Sequence, residues 1–336
     1  MIWPMRMLIL GGTVFVSRTV AEIALRRGHE VVCAARGTTG SVPPGATLVT
    51  VDRDRPDPLR ALADERFDAV VDVAKFSYPW VADALAALAT SAAHWTFVSS
   101  LSVYADEATI GQHPSAPLVE PAQVHGGSDM ELYGPVKVAS ENAVREALGE
   151  RAFIVRPGLI TGPGDGSDRF GYWPGRFNRG GRVLVPAEGG GLSQFIDVRD
   201  LAGWIVTAAE QRLTGTFDAI NQPRQLDALL RDIAALTMLE STGPEIELVP
   251  ATDEQLIAAG VEYWAGPKSL PMWVSAEMTG FGGHDPSPSL AQGLTIRPLA
   301  DAVAGALARE HELGLDRPRR AGLSAAEEAE VLASLA

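Results

Sequence analysis

The sequence of 336 residues contains one cysteine, Cys33, which lies within an apolar run. A single cysteine cannot form an intrachain disulfide framework, so we predict a packing role for its side chain and a reducing, cytoplasmic compartment. The sequence also lacks a hydrophobic run long enough to span a membrane. The apolar start is interrupted by Pro4 and Arg6, which argues against a secretory signal segment and against a membrane partner.

Positive charge is scarce as well. The chain has 28 Lys and Arg against 42 Asp and Glu, a formal net charge of −14 at pH 7, and no block of basic residues. Such a charge repels the phosphate backbone of nucleic acids, so we expect a small-molecule substrate and no nucleic-acid partner. The histidines include no H-x-x-x-H pair, and no metal-ligand spacing or hydrolase nucleophile elbow is present, so we predict no metal site.

Hydrophobic residues make up 46% of the chain, enough for a large core. In the first half, short apolar runs alternate with helical patterns. The predicted strands are 7–10, 30–35, 48–51, 69–73, 95–99 and 153–156, and the predicted helices are 16–27, 58–63, 80–89 and 133–147. This alternation predicts an α/β fold with a doubly wound parallel sheet. Ligands bind at the carboxyl ends of the strands in such a sheet, near the point where the strand order reverses.

Tyr133 and Lys137 form a Tyr-x-x-x-Lys motif at the start of the last of these helices. Residues four apart share one helix face, so the phenol and the ammonium should point into the same cleft. A nearby cation favours the phenolate, so we predict that Tyr133 titrates closer to neutrality and acts as a general acid or base on a carbonyl or an alcohol. The alternative is an exposed helix face with a half-buried ring.

Several motifs occur together in one order. They are Gly11-Gly12-Thr13-x-Phe15, Phe97-Val98-Ser99-Ser100-Leu101-Ser102-Val103-Tyr104, Tyr133-x-x-x-Lys137, Arg156-Pro157-Gly158 and Phe195-Ile196-Asp197-Val198-Arg199-Asp200. With these motifs the chain resembles the extended short-chain dehydrogenase/reductases of the NAD-dependent epimerase/dehydratase branch, or an atypical reductase relative, over roughly residues 5 to 310. The resemblance implies a Rossmann fold with a smaller α/β C-terminal substrate lobe. It assigns residues 1–157 and 193–215 to the dinucleotide-binding domain, and residues 158–192 and 216–336 to the substrate-binding lobe and C-terminal helices.

The resemblance implies a catalytic set of Ser100, Tyr133 and Lys137. Ser100 would hydrogen-bond the substrate oxygen, Tyr133 would exchange a proton with it, and Lys137 would hold the nicotinamide ribose. Hydride transfer builds charge on the substrate oxygen, which requires a donor already in place. Ser99 and Ser102 could instead cap a turn, and strand alternation would put Ser100 and Ser102 on the same side. The expected enzyme is a reductase, dehydrogenase or epimerase of an alcohol or carbonyl compound, with sugars and nucleotide sugars among the candidates.

The glycine motif is altered, because Gly-x-x-Gly-x-x-Gly aligns with Gly11, Val14 and Ser17. The second glycine lets the backbone approach the pyrophosphate, and a β-branched residue is unfavourable there at positive φ. Either the loop shifts or dinucleotide binding is weaker. The altered loop leaves open a non-catalytic or regulatory protein that binds a ligand or RNA, although the net charge argues against RNA.

The second predicted strand ends at Arg36 without an acidic residue for the ribose 2′-hydroxyl of NAD. An arginine there can bind a 2′-phosphate, which favours NADP over NAD, and the alternative is a surface arginine. Asp52 resembles the family's adenine-contacting aspartate, or it caps a helix or turn. The other residues predicted to bind the cofactor are Gly11, Thr13, Phe15, Val16, Ala74, Lys75, Ser99, Tyr133, Lys137, Pro157, Gly158 and Ile160.

Residues 158–191 are rich in Gly, Pro and Arg. Within them, Tyr172, Trp173 and Arg176 are predicted to form a substrate wall, unless the arginines of this segment are simply solvated, and Ser100 and Ser102 are also predicted to contact the substrate. The later elements are expected to be a return to the central sheet at 195–200, helices at 198–211, 226–239, 299–311 and 323–335, and a strand at 246–249. Related enzymes dimerise through the helix that carries the tyrosine, so a homodimer is expected from the resemblance.

Overall fold

The alternating pattern of the sequence is reproduced in the structure, a computed structural model that describes residues 3–127, 129–187, 191–239 and 244–335. The strands are β1 (Arg6–Leu10), β2 (Glu30–Ala35), β3 (Thr47–Thr50), β4 (Ala69–Asp72), β5 (Trp95–Val98), β6 (Ala152–Pro157), β7 (Leu159–Thr161), β8 (Gly181–Pro186), β9 (Leu192–Ser193), β10 (Phe195–Asp197), β11 (Gly215–Ala219), β12 (Arg224–Gln225), β13 (Ile246–Ala251), β14 (Glu262–Trp264) and β15 (Ser269–Pro271). The helices are α1 (Phe15–Arg26), α2 (Tyr78–Leu88), α3 (Tyr133–Leu148), α4 (Tyr172–Phe177), α5 (Val198–Gln211), α6 (Leu226–Met238), α7 (Asp253–Ala258), α8 (Ser287–Ala291), α9 (Leu299–Leu313) and α10 (Ala325–Ser334).

A parallel sheet with the strand order β3-β2-β1-β4-β5-β6-β11 forms the centre of the fold. The chain builds outward from β1 to β3 and then crosses to β4 on the other side of β1. The strand order therefore reverses between β1 and β4, and in doubly wound sheets ligands bind beyond the carboxyl ends of the strands at such a point. This topology confirms the predicted doubly wound sheet.

Strand β1 is apolar throughout because both of its faces are buried. Met7 and Ile9 share one core with α1 and α5, whereas Leu8 and Leu10 share another core with α2 and α3. Successive side chains of a strand point to opposite faces, so a continuous apolar run is needed when helices cover both sides. The same requirement explains why the sequence showed this strand clearly.

A second lobe packs its own core around α4, α6 and α9, with the parallel pair β8 and β13. Two predictions about the sheet are corrected here. Residues 195–197 form β10, which pairs with β7 outside the central sheet. The central sheet instead gains β11, although residues from 216 onward were assigned to the second lobe.

The helix predicted at 58–63 is only one 3₁₀ turn, Arg60–Leu62. Asp57, with a φ of 49°, lies outside the right-handed helical region, so no helix can begin before Pro58. Along the described ranges, no helix is both long enough and apolar enough to cross a membrane.

Candidate active site

Helix α3 places Tyr133 and Lys137 beside the carboxyl ends of β4 and β5. Gly134, the second residue of the helix, lies directly against the backbone of Ser102. A side chain at this position would clash with the Ser102 carbonyl oxygen, so only glycine permits the approach. The start of α3, and with it Tyr133, is therefore positioned by a backbone contact.

Lys137 is 3% exposed, and its ammonium joins two adjacent strands of the central sheet. Its Nζ donates to the carbonyl oxygens of Ala74 and Val98, each at 2.7 Å. Burial lowers the pKa of Lys137 to about 8, against the opposing attraction of the Asp72 and Glu141 carboxylates. An ammonium has three donors, so one remains for a ligand in the crevice.

Tyr133 is half-buried, and its ring packs edge-on against Phe76 with centroids 5.5 Å apart. Burial raises the pKa of Tyr133, and the smaller opposing effects of the neighbouring Ser100 hydroxyl and the Arg169 charge do not outweigh it. The prediction that Tyr133 titrates closer to neutrality is therefore wrong for this structure. Lys137 Nζ lies 5.9 Å from the ring centroid and donates two of its protons to backbone carbonyls.

Ser100 and Ser102 lie together beside Tyr133. Ser100 Oγ donates to Ser102 Oγ at 3.2 Å and accepts from the Ser102 amide at 3.1 Å. The two hydroxyls share one side because Leu101–Val103 form a 3₁₀ turn, and not because of strand alternation as predicted. Ser99 is buried, and its amide donates to the Val155 carbonyl oxygen at 2.7 Å.

The glycine turn, defined as Gly11 to Val14, connects β1 to α1. Gly11 and Gly12 have φ values of 130° and 104°, and a side chain at Gly12 would clash with the sulfur of Cys33. Cys33 therefore has the packing role predicted for it. Ser17 stands where the motif has its third glycine. Its Oγ donates to the Val14 carbonyl oxygen at 2.9 Å, and it packs closely on Gly11, because a Cβ on Gly11 would lie 3.1 Å from Ser17 Cβ.

Val14 does not take the positive φ that made it a difficulty in the sequence. Its φ of −142° and ψ of 148° are extended and suit a β-branched residue, and Phe15 takes the positive φ, 41°. No side chain caps α1, and its first turn contains no acidic residue. The amides at this helix start are thus available to a phosphate group, so the residues present fit a dinucleotide.

Arg36 is exposed after β2, and its side chain makes no hydrogen bond or ion pair with the described residues. Its loop lies against the glycine turn, because a side chain at Gly40 would clash with the Thr13 carbonyl oxygen. Asp52 follows β3 and accepts from the Asp54 amide at 3.2 Å. The turn cap that was the alternative for Asp52 is therefore present.

The other residues predicted to bind a cofactor lie near the carboxyl edge of the sheet. Ala74 and Lys75 follow β4, Ser99 follows β5, Pro157 ends β6, Gly158 follows it, and Phe15 and Val16 begin α1. Ile160 does not lie on an element of the central sheet, because it belongs to β7, which pairs with β10. Among the residues that the structure describes, no group of three or more His, Cys, Asp and Glu is arranged to hold a metal ion.

The predicted substrate wall is wrong, because its three residues lie in the core of the second lobe. Tyr172 and Trp173 are fully buried, and Trp173 Nε1 donates to the Pro271 carbonyl at 2.9 Å. Arg176 is buried and paired with Glu328. Aromatic residues fill cores as well as ligand walls, and the sequence did not show that Glu328 would pair with Arg176, so composition could not separate the two interpretations.

A buried polar network that the sequence analysis missed extends behind Lys137. Arg156 makes two hydrogen bonds to Glu141, at 2.8 and 2.7 Å, and a third to the Tyr104 hydroxyl at 2.8 Å. Tyr104 in turn donates to Asp218 at 2.6 Å. Burial raises the pKa of Glu141, but the hydrogen bonds and charge of Arg156 outweigh it, so the pKa lies below its ordinary value.

The signal for this network was present in the helix spacing. Glu141 follows Lys137 by four residues and so shares its face of α3. Arg156 lies in the Arg-Pro-Gly motif at the end of β6. His284, from the C-terminal part of the chain, closes the network with Nδ1 3.3 Å from Asp218 Oδ2, and nothing in the local sequence indicates that contact.

Comparison with known proteins agrees with this geometry. Residues 7–221 match the NAD dependent epimerase/dehydratase family. A relative, the dTDP-6-deoxy-L-talose 4-dehydrogenase (NAD(P)(+)) of Kitasatospora kifunensis, is 27% identical over 283 residues, which cover 74% of this chain and 84% of the relative.

Solved structures have a similar fold. The Bordetella bronchiseptica enzyme WbmH in complex with NAD+ is 20% identical, with a TM-score of 0.63 and coverage of 93% of this chain and 100% of that chain. The Thermus thermophilus UDP-glucose 4-epimerase in complex with NAD is 17% identical, with a TM-score of 0.63 and coverage of 91% and 99%. The family match spans more than half of the chain and includes the glycine turn, Ser100, Tyr133 and Lys137. The chain therefore belongs to the NAD dependent epimerase/dehydratase family.

Proposed function

We propose that this chain is an NAD(P)-dependent oxidoreductase, a reductase, dehydrogenase or epimerase that acts on an alcohol or carbonyl of a small molecule such as a sugar or nucleotide sugar. The observation that carries the proposal is the convergence of Ser100, Tyr133 and Lys137 at the carboxyl ends of β4 and β5, next to the glycine turn. The family and its sugar-nucleotide relative support it. When bound, the nicotinamide would supply hydride transfer.

Each of the three side chains has a role that its contacts allow. Tyr133, kept as a phenol at neutral pH by burial, donates its proton to a substrate carbonyl oxygen in the reducing direction. The Ser100 hydroxyl, which donates to Ser102 Oγ in this structure, would turn toward the same oxygen and offer a second donor. Lys137, whose ammonium is held in position by the two carbonyls, would hold the ribose with its remaining donor.

The proposal is tested by loading the chain with NAD+ or NADP+ and adding a panel of nucleotide sugars. Formation of reduced nicotinamide, or conversion to the epimer, is the expected result for at least one sugar. Nicotinamide absorbance and product chromatography measure the two outcomes. A chain that binds neither dinucleotide would contradict the proposal.

Arg36 leads us to propose NADP as the preferred cofactor. Replacing Arg36 with alanine is expected to weaken NADPH binding by about 1.5 to 3 kcal/mol, because a charge-assisted contact to the 2′-phosphate is lost. NADH binding should hardly change, since NADH has no such phosphate. Calorimetry with both dinucleotides measures the difference, and Arg26→Ala at the far end of α1 is the matched control. Equal affinities of the parent protein for NADH and NADPH would remove Arg36 from the site.

Val14 provides a test of the glycine turn. Val14→Gly is expected to change dinucleotide affinity by less than about tenfold, or about 1.4 kcal/mol, because Val14 already has a favourable extended conformation and no φ strain is relieved. Calorimetry on both proteins measures the change. Binding that is absent in the parent and strong in the variant would instead favour a non-catalytic protein on this fold.

A further inference from the structure

A buried ion pair between Asp72 and Arg53 lies at the carboxyl end of β4. The side chain of Asp72, the last residue of the strand, is 0% exposed and that of Arg53 is 9% exposed. Two hydrogen bonds join them, from Nη1 to Oδ1 at 2.9 Å and from Nη2 to Oδ2 at 3.3 Å. A guanidinium that meets a carboxylate at two points satisfies the buried charge and fixes its orientation. The proposed function uses neither member of this pair.

Arg53 is itself held in place although it comes from a distant strand. In the sheet, β2 and β1 lie between β3 and β4, so the segment after β3 folds back toward the middle of the sheet to bring Arg53 to Asp72. Its Nη2 also donates to the Trp80 carbonyl oxygen, and its guanidinium carbon lies 5.4 Å from the centroid of the Trp80 ring. Trp80 in turn donates from Nε1 to Asp54 at 2.8 Å. These contacts fix the guanidinium, and with it the carboxylate that it meets.

Asp72 also orders the turn that follows β4. Its Oδ1 accepts a hydrogen bond from the Ala74 amide at 2.9 Å, an arrangement in which an aspartate side chain closes a turn over the next two residues. Ala74 lies beyond the end of β4, so the hydrogen bonds of the sheet do not fix its carbonyl oxygen. That oxygen accepts from Lys137 Nζ. The second oxygen that holds the ammonium is that of Val98, which belongs to β5 and is fixed by the sheet. Asp72 therefore constrains the carbonyl that the sheet leaves free.

The Ala74 contact separates a geometric role of the ion pair from a stabilising one. Desolvation offsets most of the attraction in a buried ion pair, so well-packed apolar side chains would stabilise the fold about as well as Asp72 and Arg53. An apolar side chain at position 72 could not accept from the Ala74 amide. The Asp72 charge also favours the protonated form of Lys137, which raises the pKa of Lys137 against the larger effect of burial.

We propose that Asp72, oriented by Arg53, is a positioning residue that holds the Ala74 carbonyl oxygen, and through it the Lys137 ammonium, in place for the nicotinamide ribose. This rests on the proposed function, in which Lys137 binds that ribose with its remaining donor. The path is a continuous series of hydrogen bonds, in which Arg53 donates to Asp72, the Ala74 amide donates to Asp72, and Lys137 donates to the Ala74 carbonyl. Neither Arg53 nor Asp72 was among the site residues predicted from the sequence.

The first test compares ADP with ADP-ribose, which adds the ribose that Lys137 would bind. Calorimetry at about pH 6, below the Lys137 pKa of about 8, keeps the ammonium protonated and gives the ratio of the two affinities. Asp72→Ala is expected to lower the preference for ADP-ribose about tenfold, the effect of weakening a hydrogen bond to a charged group, while ADP affinity hardly changes. Arg53→Met should lower it in the same direction, because the carboxylate loses the partner that orients it. Asp72→Asn keeps an acceptor for the Ala74 amide and should retain most of the preference.

The second test observes Lys137 without a ligand. The chain has three lysines, Lys75, Lys137 and Lys268, so nuclear magnetic resonance with labelled lysine side chains can follow the titration of each. The charged groups that act on Lys137 are Asp72, Glu141 and Lys75. Asp72→Asn removes an attraction that raises the pKa of Lys137, so the midpoint should fall by about one pH unit. A site that had merely loosened would admit water and raise the midpoint toward the ordinary lysine value of about 10.4.

Glu210→Gln is the matched control for both tests. Glu210 is a buried carboxylate near the C-terminal end of α5, where it pairs with Arg27 at 2.7 Å and contacts His29 at 2.9 Å. None of these residues takes part in the hydrogen bonds that lead to Lys137. The substitution should therefore change neither the preference for ADP-ribose nor the Lys137 midpoint.

The proposal is overturned if Lys137→Met lowers the preference for ADP-ribose and Asp72→Ala does not. A raised Lys137 midpoint in Asp72→Asn would overturn it as well. So would an Asp72→Ala loss that is equally large in a Lys137→Met background, because the effect would then not pass through Lys137. The proposed function fails separately, if Lys137→Met binds ADP-ribose as well as the parent does while the Lys137 midpoint still falls in Asp72→Asn.

Discussion

Tyr133→Phe is expected to lower turnover by about 10² to 10⁴-fold, the usual contribution of a positioned general acid or base. The change removes the hydroxyl and leaves the ring, so the edge-on contact with Phe76 should persist. Dinucleotide affinity should stay nearly constant, because Lys137 and the glycine turn are untouched. Steady-state kinetics with a substrate from the nucleotide-sugar panel, together with calorimetry, measure both quantities.

Tyr78→Phe is the matched control for that experiment. Tyr78 begins α2, is half-buried, and its hydroxyl makes no hydrogen bond with the described residues. Its loss should therefore leave turnover within about twofold of the parent, since changes of this kind are usually small. Near-normal turnover in Tyr133→Phe would show that another group transfers the proton. A parallel loss of dinucleotide affinity would show that the ring had moved.

Arg156→Met should lower the free energy of unfolding by about 3 to 5 kcal/mol, because it leaves the Glu141 carboxylate buried without its main partner. Arg156 is 1% exposed and Glu141 is 0% exposed, so water cannot replace the lost hydrogen bonds. Arg145 still reaches Glu141 at 2.7 Å, but it lies partly in solvent and compensates little. Denaturant unfolding measures the loss.

The double variant Arg156→Met/Glu141→Leu separates charge from packing. If the cost of the single variant is an unpaired buried carboxylate, removing that carboxylate should recover much of the stability. A double variant as unstable as the sum of the two single variants would contradict this explanation. The Tyr104 hydroxyl can still donate to Asp218 in the single and double variants, so this hydrogen bond contributes equally to the stability of each.

The central sheet could be predicted where a strand is apolar on both faces. Strands β1, β2 and β4 to β6 are buried throughout or nearly so, and their runs stand out in the sequence. Strand β11 was missed because it is partly exposed and contains Asp218, a carboxylate that is acceptable there only through Tyr104 and His284. Partners distant in the sequence leave no local pattern.

Some residues of the candidate site could likewise be predicted from the sequence, and others could not. Ser100, Tyr133 and Lys137 could be found because local spacing and order define them. The sequence could not show that Phe15, and not Val14, takes the positive φ, since that choice depends on how the turn packs between Cys33 and Gly40.

Gly134 has a consequence for anyone engineering this chain. Glycine is among the poorest helix formers, about 1 kcal/mol worse than alanine inside a helix, so a propensity-guided stabilisation scheme would select Gly134→Ala. The same substitution would bring a methyl group into a clash with the Ser102 carbonyl oxygen and push the start of α3 away from the 3₁₀ turn Leu101–Val103. Thermostability and catalytic alignment are therefore opposed at this residue, and a library filtered on melting temperature alone could retain a folded protein whose tyrosine no longer meets Ser100.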